Sequence, residues 1–328
     1  MLYLGPAVIV IKHLIVALCI VFAFGGLSAQ TSAWQPSPGH MQAPIWPGAV
    51  PGAQPLPGPE TSRTTEKDDL VAGKPWVYVE RVSQPTMTVY SPTGKSTGAA
   101  VVVFPGGGFE VLAIDLEGTE VCDWLTSEGI TCVLLKYRVP SLPYDWHCKC
   151  RPNGLAKSTP ALEDAQRTIG LVRFHAAEWH INPHKIGVLG FSAGGYLVAE
   201  ISTDFEHRLY PAVDAVDKVS CRPDFAVAIY PGHLSLADNS FALNPYIAAH
   251  ITRQTPPTFL LQNEDDHVDR VEDSLSYYAA LKKAGVPVEM HLYAQGGHAF
   301  GLRRTKFPAT AWPQLVETWL GSIGMVRE

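Results

Sequence analysis

The fold class that this sequence predicts is α/β: a mostly parallel central sheet with helices on both faces. Three observations predict it. From about residue 99 to residue 320, short apolar runs alternate with amphipathic helical stretches, the alternation that parallel strands with crossover helices require. The run Lys185-Ile-Gly-Val-Leu-Gly-Phe-Ser-Ala-Gly-Gly-Tyr196 passes from strand to helical spacing through Gly190-Phe-Ser-Ala-Gly194. A serine, an acidic loop and a histidine then follow one another along the chain, each just beyond an apolar run.

Residues 1–29 place a lone Lys12 before the apolar run 14–24 and then Gly25-Gly-Leu-Ser-Ala29, the layout of a secretory signal peptide cleaved after Ala29. The competing reading is a retained membrane anchor, because the apolar run beginning near Val8 approaches spanning length. A lipoprotein reading through Cys19 is poorer, since Leu18 stands where a small residue is expected. Residues 30–73 read as a Pro/Gly-rich N-terminal tether, because proline lacks a donor and glycine adds chain entropy, and both oppose regular structure. Trp46 suggests that part of it packs on the domain surface. Residues 74–328 are expected to form the catalytic domain.

Within that domain, residues 86–90 alternate as a strand, and 99–104 is continuously apolar, as in a strand buried on both faces. Pro105-Gly-Gly-Gly-Phe109 follows; its glycines leave backbone N–H groups free to approach a ligand. A helix over 117–128, with Val121, Trp124 and Leu125 on one face, leads to a strand over 131–137. Residues 138–160, rich in proline and containing Trp146-His-Cys-Lys-Cys150, read by their length as a functional surface loop. A helix over 161–179 precedes the strand that ends at the serine. Beyond the next helix come a strand over 225–230 and an irregular segment 231–257 able to form a small lid. A strand over 258–261, a helix over 271–284, a strand over 288–293 and a helix over 312–320 complete the pattern.

Ser192 is the candidate nucleophile. At such a turn the serine takes a strained backbone conformation, and a side chain at Gly190 or Gly194 would collide with adjacent backbone. A serine hydroxyl is a weak nucleophile at neutral pH, so a general base must take its proton. His298, in Gln295-Gly-Gly-His-Ala-Phe300 just after the strand over 288–293, is the best placed of the twelve histidines. The carboxylate that fixes the imidazole tautomer must come from Asn263-Glu-Asp-Asp-His-Val-Asp269; Asp266 is the choice and Asp265 the reserve.

The order Ser192, Asp266, His298 is that of the α/β-hydrolases. With Phe104-Pro-Gly-Gly-Gly-Phe109, Asp115-Leu-Glu-Gly118, Leu135-Lys-Tyr-Arg138, Gly190-Phe-Ser-Ala-Gly-Gly195, Asp266-His-Val268 and Gly296-Gly-His298, the chain resembles their hormone-sensitive-lipase-like esterase branch. It is especially similar to the bacterial acetylxylan and feruloyl esterase-like (BD-FAE-like) members. The resemblance spans roughly residues 85–320 and implies the α/β-hydrolase fold with a small cap or none. It also implies Ser192, Asp266 and His298 as the triad, and Gly107, Gly108 and Ala193 as backbone donors of the oxyanion hole. Many lipase-like relatives have His-Gly-Gly-Gly where this chain has Pro105. Because the donors are backbone groups, the hole is expected to survive without the bonds that histidine makes.

The expected function is therefore a secreted or periplasmic serine carboxylesterase that hydrolyses short-chain acyl esters through an acyl-enzyme, with carbohydrate esters such as acetylated xylan first. A feruloyl or general aryl esterase is the alternative. A non-catalytic carbohydrate-binding protein on a hydrolase fold is the reading from another class, and an intact triad argues against it. A peptidase of similar fold usually carries an additional large domain. Little chain between residue 225 and the acidic loop is available to enclose a long acyl group, and Tyr144, Trp146 and Tyr230 offer apolar faces for sugar rings. No cofactor and no metal are implied. The acids around His267 match no zinc spacing, and a zinc site at His147-Cys-Lys-Cys150 ranks behind a disulfide. The net charge of −6, or −7 without residues 1–29, makes nucleic acid a poor partner, and stable membrane association after signal cleavage is not expected. Of the five cysteines beyond residue 29, Cys122 and Cys132 are expected to be simply buried. Cys148 or Cys150 is the better candidate for a bridge, to Cys221.

Overall fold

The strands are β1 (Gln42–Pro44), β2 (Thr61–Thr64), β3 (Val77–Glu80), β4 (Thr86–Tyr90), β5 (Ala100–Phe104), β6 (Val111–Leu112), β7 (Thr131–Lys136), β8 (Ile186–Phe191), β9 (Ala226–Ile229), β10 (Thr258–Asn263) and β11 (Val288–Tyr293). The helices are α1 (Glu120–Ser127), α2 (Thr159–Phe174), α3 (Ala193–Thr203), α4 (Pro245–His250), α5 (Val271–Ala284) and α6 (Trp312–Ser322). The computed structural model describes residues 33–53, 55–139, 158–236 and 240–326. The signal-peptide reading of residues 1–29, and the expectations resting on Tyr144, Trp146, His147, Cys148 and Cys150, lie outside the described residues.

Eight strands form one sheet in the order β1-β4-β7-β5-β8-β9-β10-β11, with β2, β3 and β6 in a small second sheet. β1, β4 and β7 pair antiparallel, and from β7 to β11 every pairing is parallel. Every residue of β5, β7, β8, β9 and β10 is buried, because helices cover both faces. That is why these strands read as unbroken apolar runs rather than as alternation. Parallel strands all end at the same edge, so the loops after β5, β8, β10 and β11 converge there.

Two expectations are corrected by the fold. The segment 30–73 is not without regular structure: it supplies β1, which pairs with β4, and β2, which pairs with β3. Ile45 and Trp46 behind β1 are buried, and the compact unit of the chain runs from residue 31 to 328. The physical reason is a buried ionic cluster on α2. Arg138 Nε donates to Asp164 Oδ2 at 2.9 Å and Nη1 to the Pro51 carbonyl at 2.6 Å; Trp46 Nε1 donates to Asp164 Oδ1 at 2.9 Å, and Arg167 Nε to the Ile45 carbonyl at 2.9 Å. Beyond β1, where the ladder stops, these bonds take up the Ile45 and Pro51 carbonyls instead.

The second correction concerns the thiols. Cys122 of α1 and Cys132 of β7 form a disulfide with Cα atoms 5.2 Å apart, and Cys221 is a free, buried thiol. Helix α1 lies on β7 with Cys122 on its buried face, so the turn between them returns the chain to bridging distance. The helix expected over 117–128 is present; it opens with a π-helical turn over residues 115–119, which points Glu117 inward, and continues as α1 from Glu120.

Candidate active site

The elbow forms where β8 ends and α3 begins. Ser192 has φ 52° and ψ −120°, and its N–H donates to the Ile229 carbonyl at 3.1 Å, which pins the turn to β9. The flanking glycines are dictated by contact distance. A β-carbon at Gly190 would lie 2.2 Å from the Gly194 carbonyl oxygen, and one at Gly194 would lie 2.1 Å from that of Phe104 at the end of β5. No side chain fits at either position.

The loop after β11 carries His298 and is fastened to the loop after β10. Asp265 Oδ1 accepts the N–H groups of Gly296 at 2.9 Å and Gly297 at 2.8 Å, and Asn263 Nδ2 donates to the Gly297 carbonyl at 2.8 Å. Asp266, the neighbour, points into the site. Its Oδ2 accepts from His298 Nδ1 at 2.7 Å and from Gln262 Nε2 at 3.1 Å, and its Oδ1 accepts the N–H of Val268 at 2.9 Å. His298 Nε2 lies 3.0 Å from Ser192 Oγ. Ser192, His298 and Asp266 are thus brought into one hydrogen-bonded chain, and Asp265 serves the loop rather than the imidazole.

Burial would depress the proton affinity of His298, but the hydrogen bond to Asp266 and the charges of Asp269, Asp266 and Glu117 outweigh it and raise its pKa. A base of this kind can take the serine proton on attack and return it to a leaving group.

The glycine loop abuts the elbow. The β-carbon position of Gly106 is 2.7 Å from the Phe191 carbonyl oxygen and 3.0 Å from Ser192 Cβ. Gly106 spends its own N–H on Glu117 Oε2 at 2.7 Å. The N–H groups of Gly107, Gly108 and Ala193 donate to no acceptor among the described residues, so all three stay available to an oxyanion. Gly107 and Gly108 have φ of 128° and 64°, which only glycine takes without strain. What orients this loop without a histidine at position 105 is Tyr137, whose hydroxyl donates to the Pro105 carbonyl at 2.5 Å, together with Glu117.

Sequence reasoning missed two acids. Glu117, fully buried, also accepts the Tyr230 hydroxyl at 2.8 Å, and the Tyr230 ring lies tilted against that of His298 with centroids 4.8 Å apart. Burial raises the Glu117 pKa against the opposing bond from Tyr230. Tyr230 itself is buried, which corrects its assignment as a face for sugar rings. Asp269 also enters the site, 3.0 Å from Ser192 Oγ. The only sequence signal for either was an acid within a motif already quoted for other reasons. Among the described residues no group of three or more His, Cys, Asp and Glu side chains is arranged to hold a metal ion.

A parallel sheet that presents a serine on a strand-to-helix elbow, with acid and histidine loops after the next strands, defines an α/β-hydrolase. Comparison with known proteins agrees. Residues 161–320 match the prolyl oligopeptidase family and residues 87–230 the BD-FAE family. The structure is similar to an acetyl ester-xyloside bifunctional hydrolase from Caldicellulosiruptor lactoaceticus, at 32% identity and a TM-score of 0.67 over 87% of this chain and 97% of that one. A thermophilic esterase from Thermogutta terrifontis, 22% identical, shares the fold with a TM-score of 0.61 over 85% and 95% of the two chains. An acetylxylan esterase of Xylanibacter ruminicola is 29% identical over 74% of this chain, which spans 49% of that protein's length. The chain belongs to the α/β-hydrolase superfamily.

Proposed function

We propose that this protein is a serine carboxylesterase that removes short acyl groups from carbohydrate esters, acetylated xylan first and feruloyl or other aryl esters second. The observation that carries the reading is the hydrogen-bonded chain from Ser192 through His298 to Asp266 beside unused backbone donors. Ser192 Oγ attacks the acyl carbon as its proton passes to His298 Nε2. The negative charge gathers on the carbonyl oxygen, facing the N–H groups of Gly107, Gly108 and Ala193. His298 then protonates the leaving alcohol, and water repeats the sequence on the acyl-enzyme.

The acyl preference is supported by the small amount of chain over the site: the segment between β9 and β10 holds only the six-residue α4 as regular structure among its described residues. The alcohol is supported by the acetylxylan esterase and the acetyl ester-xyloside hydrolase among the relatives. Export to the periplasm or medium is part of the proposal, on the layout of residues 1–29, and fits a polymer-derived substrate. The test is a hydrolysis panel. p-Nitrophenyl acetate and acetylated xylan should be turned over, the acetate with higher kcat/KM than the laurate, and an aminoacyl anilide should be left uncut. Ser192→Ala should remove turnover on the order of a millionfold with the fold intact. More than a few per cent of activity in that variant, or preference for laurate, rejects the assignment.

A further inference from the structure

A second carboxylate touches the nucleophile. Asp269 is 2% exposed; its Oδ2 accepts from Ser192 Oγ at 3.0 Å and lies 3.6 Å from His298 Nε2. With Asp266 bound at Nδ1, the imidazole stands between two acids. Backbone bonds fix Asp269 there. Its N–H donates to Asp266 Oδ1 at 3.0 Å, and its carbonyl accepts from Gln262 Nε2 at 2.8 Å. Gly232 makes the room, since a β-carbon there would lie 2.2 Å from Asp269 Oδ1.

Proton counting gives this arrangement its meaning. The Ser192 hydroxyl has one proton and two acceptors, each 3.0 Å away. If it donates to Asp269, Nε2 must donate to Oγ, and the imidazole, already donating from Nδ1, is an imidazolium. If Asp269 carries the proton, its O–H donates to Oγ and the hydroxyl donates to Nε2, the direction needed for attack. Both arrangements hold the same number of protons, one more than an ionised Asp269 beside a neutral imidazole, and they differ only in whether that proton sits on Asp269 or on His298.

We propose that Asp269 is a further catalytic residue, a second carboxylate that shares this proton with His298 and stabilises the imidazolium from the side opposite Asp266. When Oγ bonds to the acyl carbon, the carbonyl electron pair moves to the oxyanion and the hydroxyl proton to Nε2, and the resulting cation lies between two carboxylates. The resting enzyme carries the corresponding cost: the same negative charge holds the proton on the base to a higher pH than one acid would. Burial pushes the Asp269 carboxyl up to about 7 against the charge of His298, with Asp273 of α5 and Asp266 raising it further. Among the described residues, His233 Nε2, 3.8 Å from Oδ1 on the β9–α4 segment, and Glu117 behind Tyr230 are the other titratable groups facing the pair.

The inference rests on the esterase reading, and the test separates the two. Asp269→Asn keeps the shape and an oxygen acceptor for Ser192 and removes the charge. Its acidic limb in the pH profile of kcat/KM for p-nitrophenyl acetate is expected to move down by about one to three pH units, with a lower plateau. The His298 imidazole, followed by NMR and assigned against His298→Ala, is expected to titrate lower by the same amount. Asp269→Ser, smaller and also neutral, should repeat both shifts if the Asn variant fails to fold. A limb and titration that stay in place, or move up, overturn the role of Asp269. Wild-type protein without esterase activity rejects the functional reading instead, and the NMR titration then still decides whether the pair shares a proton.

Discussion

At Ser192 the backbone sits in a region that costs on the order of 1–3 kcal/mol for a non-glycine residue, and it persists because β5, β8 and β9 surround the turn. The neighbouring acids divide the remaining work by where their oxygens point. Asp266 orients the imidazole, and an amide there cannot stabilise the imidazolium; Asp266→Asn is expected to lower kcat on the order of ten-thousandfold. Asp265 accepts two loop N–H groups, which an Asn oxygen can still accept, so Asp265→Asn should cost little. Steady-state kinetics of the two variants checks the ranking, and the reverse order would make Asp265 the triad acid. Asp269 also marks stability. Folded, its carboxyl is raised to about 7 and the proton it shares with His298 stays on the pair up to that pH, whereas an ordinary aspartate releases its proton near 3.8. Between those values the folded chain binds more protons than the unfolded chain, so this group's contribution falls as pH rises through that window. Asp269→Asn, with no proton to lose, is expected to match wild type near pH 4 and to exceed it in melting temperature at pH 8. A variant less stable than wild type at pH 8 contradicts this.

Among the elements, the parallel strands do the positioning, because each delivers its loop to the same edge of the sheet. The glycine loop after β5, the elbow after β8 and the two loops after β10 and β11 meet there, although their residues are up to about two hundred positions apart in the chain. The π-helical turn before α1 belongs to this set. By turning Glu117 inward it links Gly106 to Tyr230, and the Tyr230 hydroxyl accepts the Gly301 N–H at 3.0 Å just beyond His298. The disulfide between Cys122 and Cys132 closes a short loop between α1 and β7. Replacing both cysteines by alanine is expected to cost about 2–3 kcal/mol in urea unfolding. Thiol titration of the denatured, unreduced protein should find two fewer reactive groups than after reduction; equal counts would exclude the bridge.

For the molecule as a whole, the segment 42–51 acts as part of the fold. Trp46 packs edge-on against Tyr210 with ring centroids 4.6 Å apart and donates to Asp164, which in turn binds Arg138. Trp46→Ala removes a buried aromatic and leaves Asp164 short of a donor, so a loss of about 3–5 kcal/mol is expected from denaturant unfolding. A loss below about 1 kcal/mol would mean that the segment is an appendage after all.

The sequence by itself determined the α/β class, the order of the catalytic-domain elements and the trio Ser192, Asp266 and His298 as candidates. Those features rest on local patterning: apolar runs buried on both faces, and the Gly-x-Ser-x-Gly spacing of a strand-to-helix turn, in which Gly190 is forced by its contact with Gly194 four residues on. Three things only the tertiary structure decided. Three-residue β1 is too short to show a period and exists through its partner β4 and the ionic cluster of α2. The pairing of Cys122 with Cys132 depends on a helix lying back on its own following strand, which spacing alone does not distinguish from two buried thiols. The entry of Glu117 and Asp269 into the site depends on which way a carboxylate points from a turn. A shift of one residue in such a turn sends the same acid into solvent, so the direction is set for Asp269 by the Asp266 and Gln262 side chains on its backbone and the space at Gly232, and for Glu117 by the Gly106 N–H.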